Sequence, residues 1–375
     1  MENSYRNFFR RRGTISLLGS LLSILAGLLL GFALLLVFNP SHALTGLSNM
    51  LFTGLRDISK LGKVLYTAAP LLMTGLSVGF AFKTGLFNIG ASGQYTMGSF
   101  FALVAGIQFQ LPWYVAMLAG MLGGAIWGAI PGIFKAHFNV NEVITAIMFN
   151  WIGLFAVNLS LNNMPMMIAS YWGAVTKERT AKLTDANPAA ILPKLGLDES
   201  FGNYMNIGFF IAILSAVVIW IILSKTTFGY ELKACGYNRS ASLYAGINDK
   251  RNIILSMTIA GALSGIGGAI YYLSGTAQFT IVKSLLTMGF NGIPVALLAS
   301  SNPVATIFSA LFVSYIQVGG DMLQPEFAKE IIDIIIAAII YLSAFALLVQ
   351  GVIAKVLMNR RKNCAPAARE EDDRC

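Results

Sequence analysis

Four side-chain amides and their aromatic neighbours are the groups in this chain best suited to hold a small polar solute. Asn88 and Gln94 fall in Phe87-Asn88-Ile89-Gly90-Ala91-Ser92-Gly93-Gln94, a polar stretch that interrupts the apolar pattern as a helix begins. An amide donates and accepts without carrying charge, and Gly90 and Gly93 loosen the helix or admit close neighbours. Interrupted helices of this kind suit binding of a neutral polar solute. The competing reading is that both amides cap and cross-link helices. Asn150 sits beside Trp151, where an amide and a ring could hydrogen-bond and stack a planar base. Phe290 and Asn291, within Gly289-Phe290-Asn291-Gly292-Ile293-Pro294, are the matching feature in the second half of the chain. Asn88, Gln94, Asn150, Trp151, Phe290 and Asn291 are therefore the candidate solute pathway.

Catalytic and metal chemistry find little support. The only histidines are His42 and His137, and there is no His-Glu-x-x-His and no Gly-x-x-x-x-Gly-Lys-Ser/Thr phosphate loop. Glu142 sits at a helix start, where a carboxylate favours the helix N-terminus. Asp333 is the main ionisable residue inside an apolar run. Ion-coupled carriers keep buried carboxylates on their path, so an energy source outside this chain is expected. An intramembrane enzyme is the least favoured class, and no cofactor is expected on the chain itself.

The elements that must position these residues are membrane helices. The chain has 375 residues, 56% hydrophobic and 11% charged, with a mean hydropathy of +0.69. A soluble protein carries about 25% charged residues. Runs of about 20 apolar residues recur, which predicts an all-α integral membrane protein of about ten transmembrane helices. The spans are predicted near Leu17–Phe38, Val64–Phe82, Ile89–Ile107, Trp113–Phe134, Glu142–Leu161, Ile207–Leu223, Ile253–Leu273, Leu285–Ala299, Val304–Gly319 and Ile331–Leu348. A modestly polar loop with Arg56, Lys60 and Lys63 follows the first. The first run is too long for the apolar part of a signal peptide, about 7–15 residues, and is read as a retained helix. The organisation is a basic N-terminus (1–16), one polytopic domain (17–354) and a charged tail (355–375). Five helices precede the long polar loop 162–206 and five follow it, so two inverted halves are expected.

Basic residues set the orientation. They concentrate in the N-terminus, at Lys83 and Lys135, in the loop 225–252 and in the tail, which places both termini and that loop in the cytoplasm. The charge of +9 therefore marks topology in a lipid bilayer and implies no nucleic-acid partner. Cys235, Cys364 and Cys375 all fall on the cytoplasmic side and are expected to be reduced thiols. Small residues at i, i+4 spacing, Gly120, Gly124, Gly128 and Gly132 on one helix and Gly261, Gly265 and Ala269 on another, predict close helix packing.

The loop 225–252 has its own helix punctuation. One short helix is expected to run toward Lys233 and stop at Gly236. A second begins after the N-cap Asn238 and ends at the C′ residue Gly246, and Asn248 caps the next span. A folded, capped loop looks like a docking surface, though a plain charged loop has the same composition.

Gly85-Leu86-Phe87-Asn88-Ile89-Gly90 with Gly93-Gln94, Gly246-Ile247-Asn248 leading into Ala260-Gly261-Ala262-Leu263-Ser264-Gly265, and Gly289-Phe290-Asn291-Gly292-Ile293 resemble the branched-chain amino acid, ribose and nucleoside permeases of bacterial ABC importers, over residues 60–350. The spacing is most similar to the nucleoside branch, and to the longer of its paired permeases. The resemblance implies a bacterial cell-membrane transport subunit and no enzyme. It implies an ABC ATPase that carries ATP and Mg, a second permease, most naturally a paralogue, and an extracytoplasmic substrate-binding lipoprotein. It also implies that the helix Arg239–Ala245 seats in the ATPase, with Tyr237, Arg239, Leu243, Tyr244 and Gly246 as the coupling set and Tyr237, Leu243 and Tyr244 as its apolar anchors. Two positions depart from the family pattern. Ser240 stands where an acidic residue is common, and Asn291 where an Asp is common. A pentose or branched-chain amino acid is the next substrate class, and an ion-coupled carrier or facilitator is the alternative of another class.

Overall fold

The computed structural model describes residues 12–324 and 326–344; most of the basic N-terminus, the tail, Cys364 and Cys375 lie outside them. Among the described residues the fold is all-α. No strand forms, and β-pairing is limited to the isolated bridges Ile168–Thr180 and Arg179–Thr280. The helices are α1 (Arg12–Phe38), α2 (Ala43–Arg56), α3 (Ile58–Lys83), α4 (Ala91–Leu103), α5 (Trp113–Phe138), α6 (Glu142–Asn162), α7 (Gly208–Lys225), α8 (Thr227–Tyr237), α9 (Arg239–Tyr244), α10 (Asp249–Tyr272), α11 (Thr287–Leu298), α12 (Pro303–Asp321) and α13 (Lys329–Ala344). Helix occupies all ten predicted intervals, although the last runs beyond the described residues. Among the described residues six helices (α3, α5, α6, α7, α10 and α12) are long and apolar enough to cross a bilayer. The 12 residues of α11 reach about 18 Å at 1.5 Å per residue, well short of a hydrocarbon core of about 30 Å.

One expected loop is a helix. Residues 43–56 carry small and apolar residues at helical spacing, and Ala43, Gly46 and Met50 are buried along one face of α2. Isolated polar side chains between them suggested a loop, but tertiary burial of that face outweighs local polarity.

The described residues pack as two compact units, 12–48 with those between 323 and 344, and 49–322; the boundary falls within α2. In the first unit α1 meets α13 at Gly27, where a Cβ would come within 2.8 Å of the Ile339 carbonyl oxygen. The second unit is built around α3, whose residues 68–81 are all buried. The small-residue stripes of α5 and α10 meet directly. A Cβ on Gly124 would press on the Gly261 carbonyl and Gly265 Cα, and one on Gly128 would lie 2.9 Å from Gly261 Cα. The expected packing role of these glycines is what the fold displays. With lipid on the outside, burial of apolar surface cannot drive two apolar helices together, and close backbone approach supplies van der Waals contact instead. Pro70, Pro131 and Pro294 lie inside helices, which packed membrane helices tolerate.

The segment 163–207 is held in place by backbone and side-chain hydrogen bonds. Thr180 donates to the Phe279 carbonyl at 2.9 Å and Ile281 to the Glu178 carbonyl at 2.8 Å. The Asn187 amide donates to the carbonyls of Gly106 and Leu111, beside the single π-turn Val104–Gln108 that extends α4. Lys83, Lys135 and the loop 225–252 share the opposite end of this unit, since Gly85 lies against Gly236 and Gly132 of α5 against Ile254 of α10. The turn Ser300–Pro303 is at that end too, with Ser301 Cα 3.6 Å from where a Cβ on Gly79 would stand. Both Ser300 and Ser301 take left-handed backbone angles there (φ 52° and 54°).

Candidate functional site

The polar stretch between α3 and α4 folds into an amide clamp. After Lys83 the chain turns at Gly85 (φ 74°), a left-handed conformation that glycine adopts without strain. Asn88 is fully buried. Its Nδ2 donates to Ser77 Oγ (3.0 Å) and to Gln94 Oε1 (2.8 Å), and Gln94 Nε2 donates back to Asn88 Oδ1 (3.1 Å). The N-cap of α4 is Gly90, which has no side chain to satisfy the first helical N–H groups. Asn150 of α6 does this from across the bundle. Its Oδ1 accepts from Gly93 N–H (2.8 Å) while its Nδ2 donates to the Ile89 carbonyl (3.0 Å). Gly93 has to be small, because a Cβ there would stand 2.9 Å from Asn150 Cα. Ser264 of α10 donates to the Ala91 carbonyl (2.9 Å), and Ser92 to the Leu286 carbonyl just before α11 (2.8 Å). The start of α4 is thus fastened to α3, α6, α10 and the approach to α11 by neutral groups alone.

Asn88, Gln94 and Asn150 converge at the start of α4, with their amides engaged in cross-linking. Trp151 does not join them. It is 40% exposed and stacks on Phe155 at 5.9 Å. Consecutive helical residues diverge by 100°, and Asn150 takes the inward position. Phe290 and Asn291 are half-buried on α11, which lies tight against α4 and α3 through Gly289 at Ser92 and Gly292 at Thr74. The Asn291 side chain makes no hydrogen bond among the described residues, the one amide of the four left free. Glu142 does not cap α6 with its side chain. Asn141 does, accepting from Val143 N–H (2.9 Å), and Glu142 pairs with Lys135 at 2.8 Å.

Sequence reasoning missed an aromatic group beyond the clamp. Tyr66 stacks on Tyr271 (5.4 Å), and the fully buried hydroxyl of Tyr95 has no hydrogen-bond partner. The adjacent Tyr271-Tyr272 closing a glycine-rich helix was the available signal.

The loop 225–252 folds as its punctuation predicts, with one correction. Asn238 caps α9 by accepting from Ala241 N–H (3.0 Å), and Asn248 caps α10 by accepting from Arg251 N–H (3.1 Å). Gly246 (φ 79°) closes α9, and Ile247 N–H returns to the Ser242 carbonyl at 3.0 Å. Gly236, however, does not stop α8, which continues to Tyr237. A Cβ at Gly236 would come within 2.5 Å of the Lys83 carbonyl oxygen, so its glycine serves close approach. Tyr237 and Tyr244 are 91% and 96% exposed and Leu243 52%, and a groove of about 540 Å³ between α8 and α9 is lined by Tyr230, Glu231, Tyr237 and Ala241. Cys235 is a buried free thiol. Among the described residues no group of three or more His, Cys, Asp or Glu could hold a metal.

Six long apolar helices closed by glycine seams, a neutral polar clamp at the heart of the bundle and a capped helical projection at one end define a multi-pass membrane protein of the permease kind. The chain matches the family described as branched-chain amino acid transport system / permease component over residues 60–344, and belongs to it. It is 36% identical to the nucleoside ABC transporter permease protein NupB of Lactococcus lactis over 91% of this chain and 94% of the relative. It is 35% identical to the guanosine ABC transporter permease protein NupP of Bacillus subtilis, covering 91% and 96%. A second L. lactis protein, the nucleoside ABC transporter permease protein NupC, is 24% identical over 69% of this chain and 82% of its own. No solved structure matches.

Proposed function

We propose that this chain is the membrane-spanning permease subunit of an ATP-driven importer of nucleosides. The observation that carries the reading is full-length similarity to two permeases named for nucleosides and guanosine, at 36% and 35% identity. The clamp's hydrogen bonds are made by amide, hydroxyl and backbone groups, which suits a neutral solute. The proposed topology is ten spans in two inverted halves, forming one permease domain in the bacterial cell membrane with both termini cytoplasmic. The pathway is proposed to run past Asn291 and Phe290, with Asn88, Gln94 and Asn150 fixing its shape and Trp151 on its flank.

The proposed partners are an ABC ATPase that carries ATP and Mg, a second permease and an extracytoplasmic binding lipoprotein. Occurrence of NupB and NupC in one organism supports a paralogous second permease. Helix α9 is the proposed coupling helix, with Tyr237, Leu243 and Tyr244 as contacts and Arg239 and Gly246 setting its attitude.

The test is uptake into proteoliposomes that hold the permease pair and ATPase, with the binding lipoprotein supplied outside. Uptake of labelled guanosine is expected to require internal ATP and to be competed by other nucleosides, but not by ribose or leucine. Accumulation driven by a sodium or proton gradient without ATP would overturn the reading. Competition by ribose or leucine alone would move the substrate to the corresponding class.

A further inference from the structure

Arg239 and Asp249 open two consecutive helices, α9 and α10, and are joined by an ion pair between Arg239 Nε and Asp249 Oδ2 at 2.6 Å. The Asp249 side chain is only 7% exposed and that of Arg239 40%. A carboxylate this buried depends on its partner, because an unpaired buried charge is strongly unfavourable. No other cation lies within ion-pairing distance of Asp249 among the described residues. The covalent link from α9 to α10 is the short turn Ala245–Asn248, with Gly246 at φ 79°. A turn of that kind leaves α9 free to pivot unless something else braces it.

The brace continues inward. One turn further along α10, Asn252 Nδ2 donates to Glu231 Oε2 of α8 at 3.1 Å. Another turn on, Ser256 Oγ lies 2.6 Å from Thr84 Oγ1, at the end of α3. Beyond that, Ser264 holds the Ala91 carbonyl at the start of α4. A push on α9 therefore has a hydrogen-bonded route to the amide clamp, and Arg239–Asp249 is its first link.

We propose that Arg239 is a positioning residue. Its guanidinium fixes α9 against α10 through Asp249, so that force from the ATPase moves α10 and the clamped start of α4 instead of turning α9 about its loop. The inference rests on α9 being the coupling helix. Arg239 acts inward on Asp249, and the ATPase grips the exposed Tyr237, Leu243 and Tyr244.

The experiment compares Arg239→Glu, Asp249→Arg and the double reversal in the complete reconstituted transporter. It measures ATPase co-purification and solute moved per ATP hydrolysed. Both single variants are expected to keep the ATPase and to lose about tenfold in transport per ATP, as for a change along an energetic coupling route. The double reversal is expected to recover most of that loss. Arg239→Lys keeps the charge without the planar fork and should fall in between; it also gives a reading if a reversal fails to fold. Loss of the ATPase in Arg239→Glu, or a wild-type transport ratio in Arg239→Lys together with a double reversal no better than the singles, would overturn the inference. A wild-type permease that binds no ATPase would instead remove the coupling-helix assignment, and this inference with it.

Discussion

Asn150 and Asn291 are the same residue type on two helices, and their surroundings give them opposite parts. Asn150 supplies in trans the cap that Gly90 cannot, satisfying Gly93 N–H and the Ile89 carbonyl. Replacing it by alanine leaves two buried backbone groups without that partner, at a cost of about 1–3 kcal/mol. Asn150→Ala should therefore lower the melting temperature of the purified protein in detergent. Asn291 has no hydrogen bond to lose, so Asn291→Ala should melt close to wild type and raise the KM for uptake. An unchanged melting temperature for Asn150→Ala would mean that the clamp does not hold α4.

At the scale of elements, α9 is six residues long and cannot be stable by itself. Its structure comes from Asn238 at one end, Gly246 at the other and Arg239 against Asp249. A helix held this firmly, with Tyr244 96% exposed, presents an aromatic side chain to a partner at little entropic cost. Leu243→Glu combined with Tyr244→Glu should abolish ATPase co-purification while the permease still elutes as a single sharp peak. Full retention of the ATPase would place the contact elsewhere. The α5–α10 seam shows the complementary use of small residues, where absence of a side chain is the contact.

At the scale of the molecule, the loops that charge assigns to the cytoplasm lie at one end of the second unit, opposite the segment 163–207. Lys63 pairs with Asp321 at 2.9 Å where α3 begins and α12 finishes; Lys135 pairs with Glu142 where α5 hands over to α6. Val175 is 98% exposed in the segment 163–207. A cysteine at Val175 should react with a membrane-impermeant maleimide in intact cells, and one at Tyr237 only after lysis. The reverse pattern would invert the proposed topology.

Properties settled by nearest neighbours along the chain were legible without a structure. Twenty-residue apolar runs have to become helices, because backbone groups in hydrocarbon have no other partners. Asn238, Gly246 and Asn248 mark helix ends because a cap acts within a few residues of itself. The i, i+4 glycines announced a seam because helix geometry alone puts them on one face. Partner choice over long separations was decided only by folding. Asn150 reaches residues 57 and 61 positions away, and Gly236 touches the end of α3, from which α4 to α7 separate it in sequence. Trp151 turned outward and residues 43–56 became helical for the same reason. Each depended on which surface a neighbouring element offered, and that is fixed when helices pack, not when residues are joined.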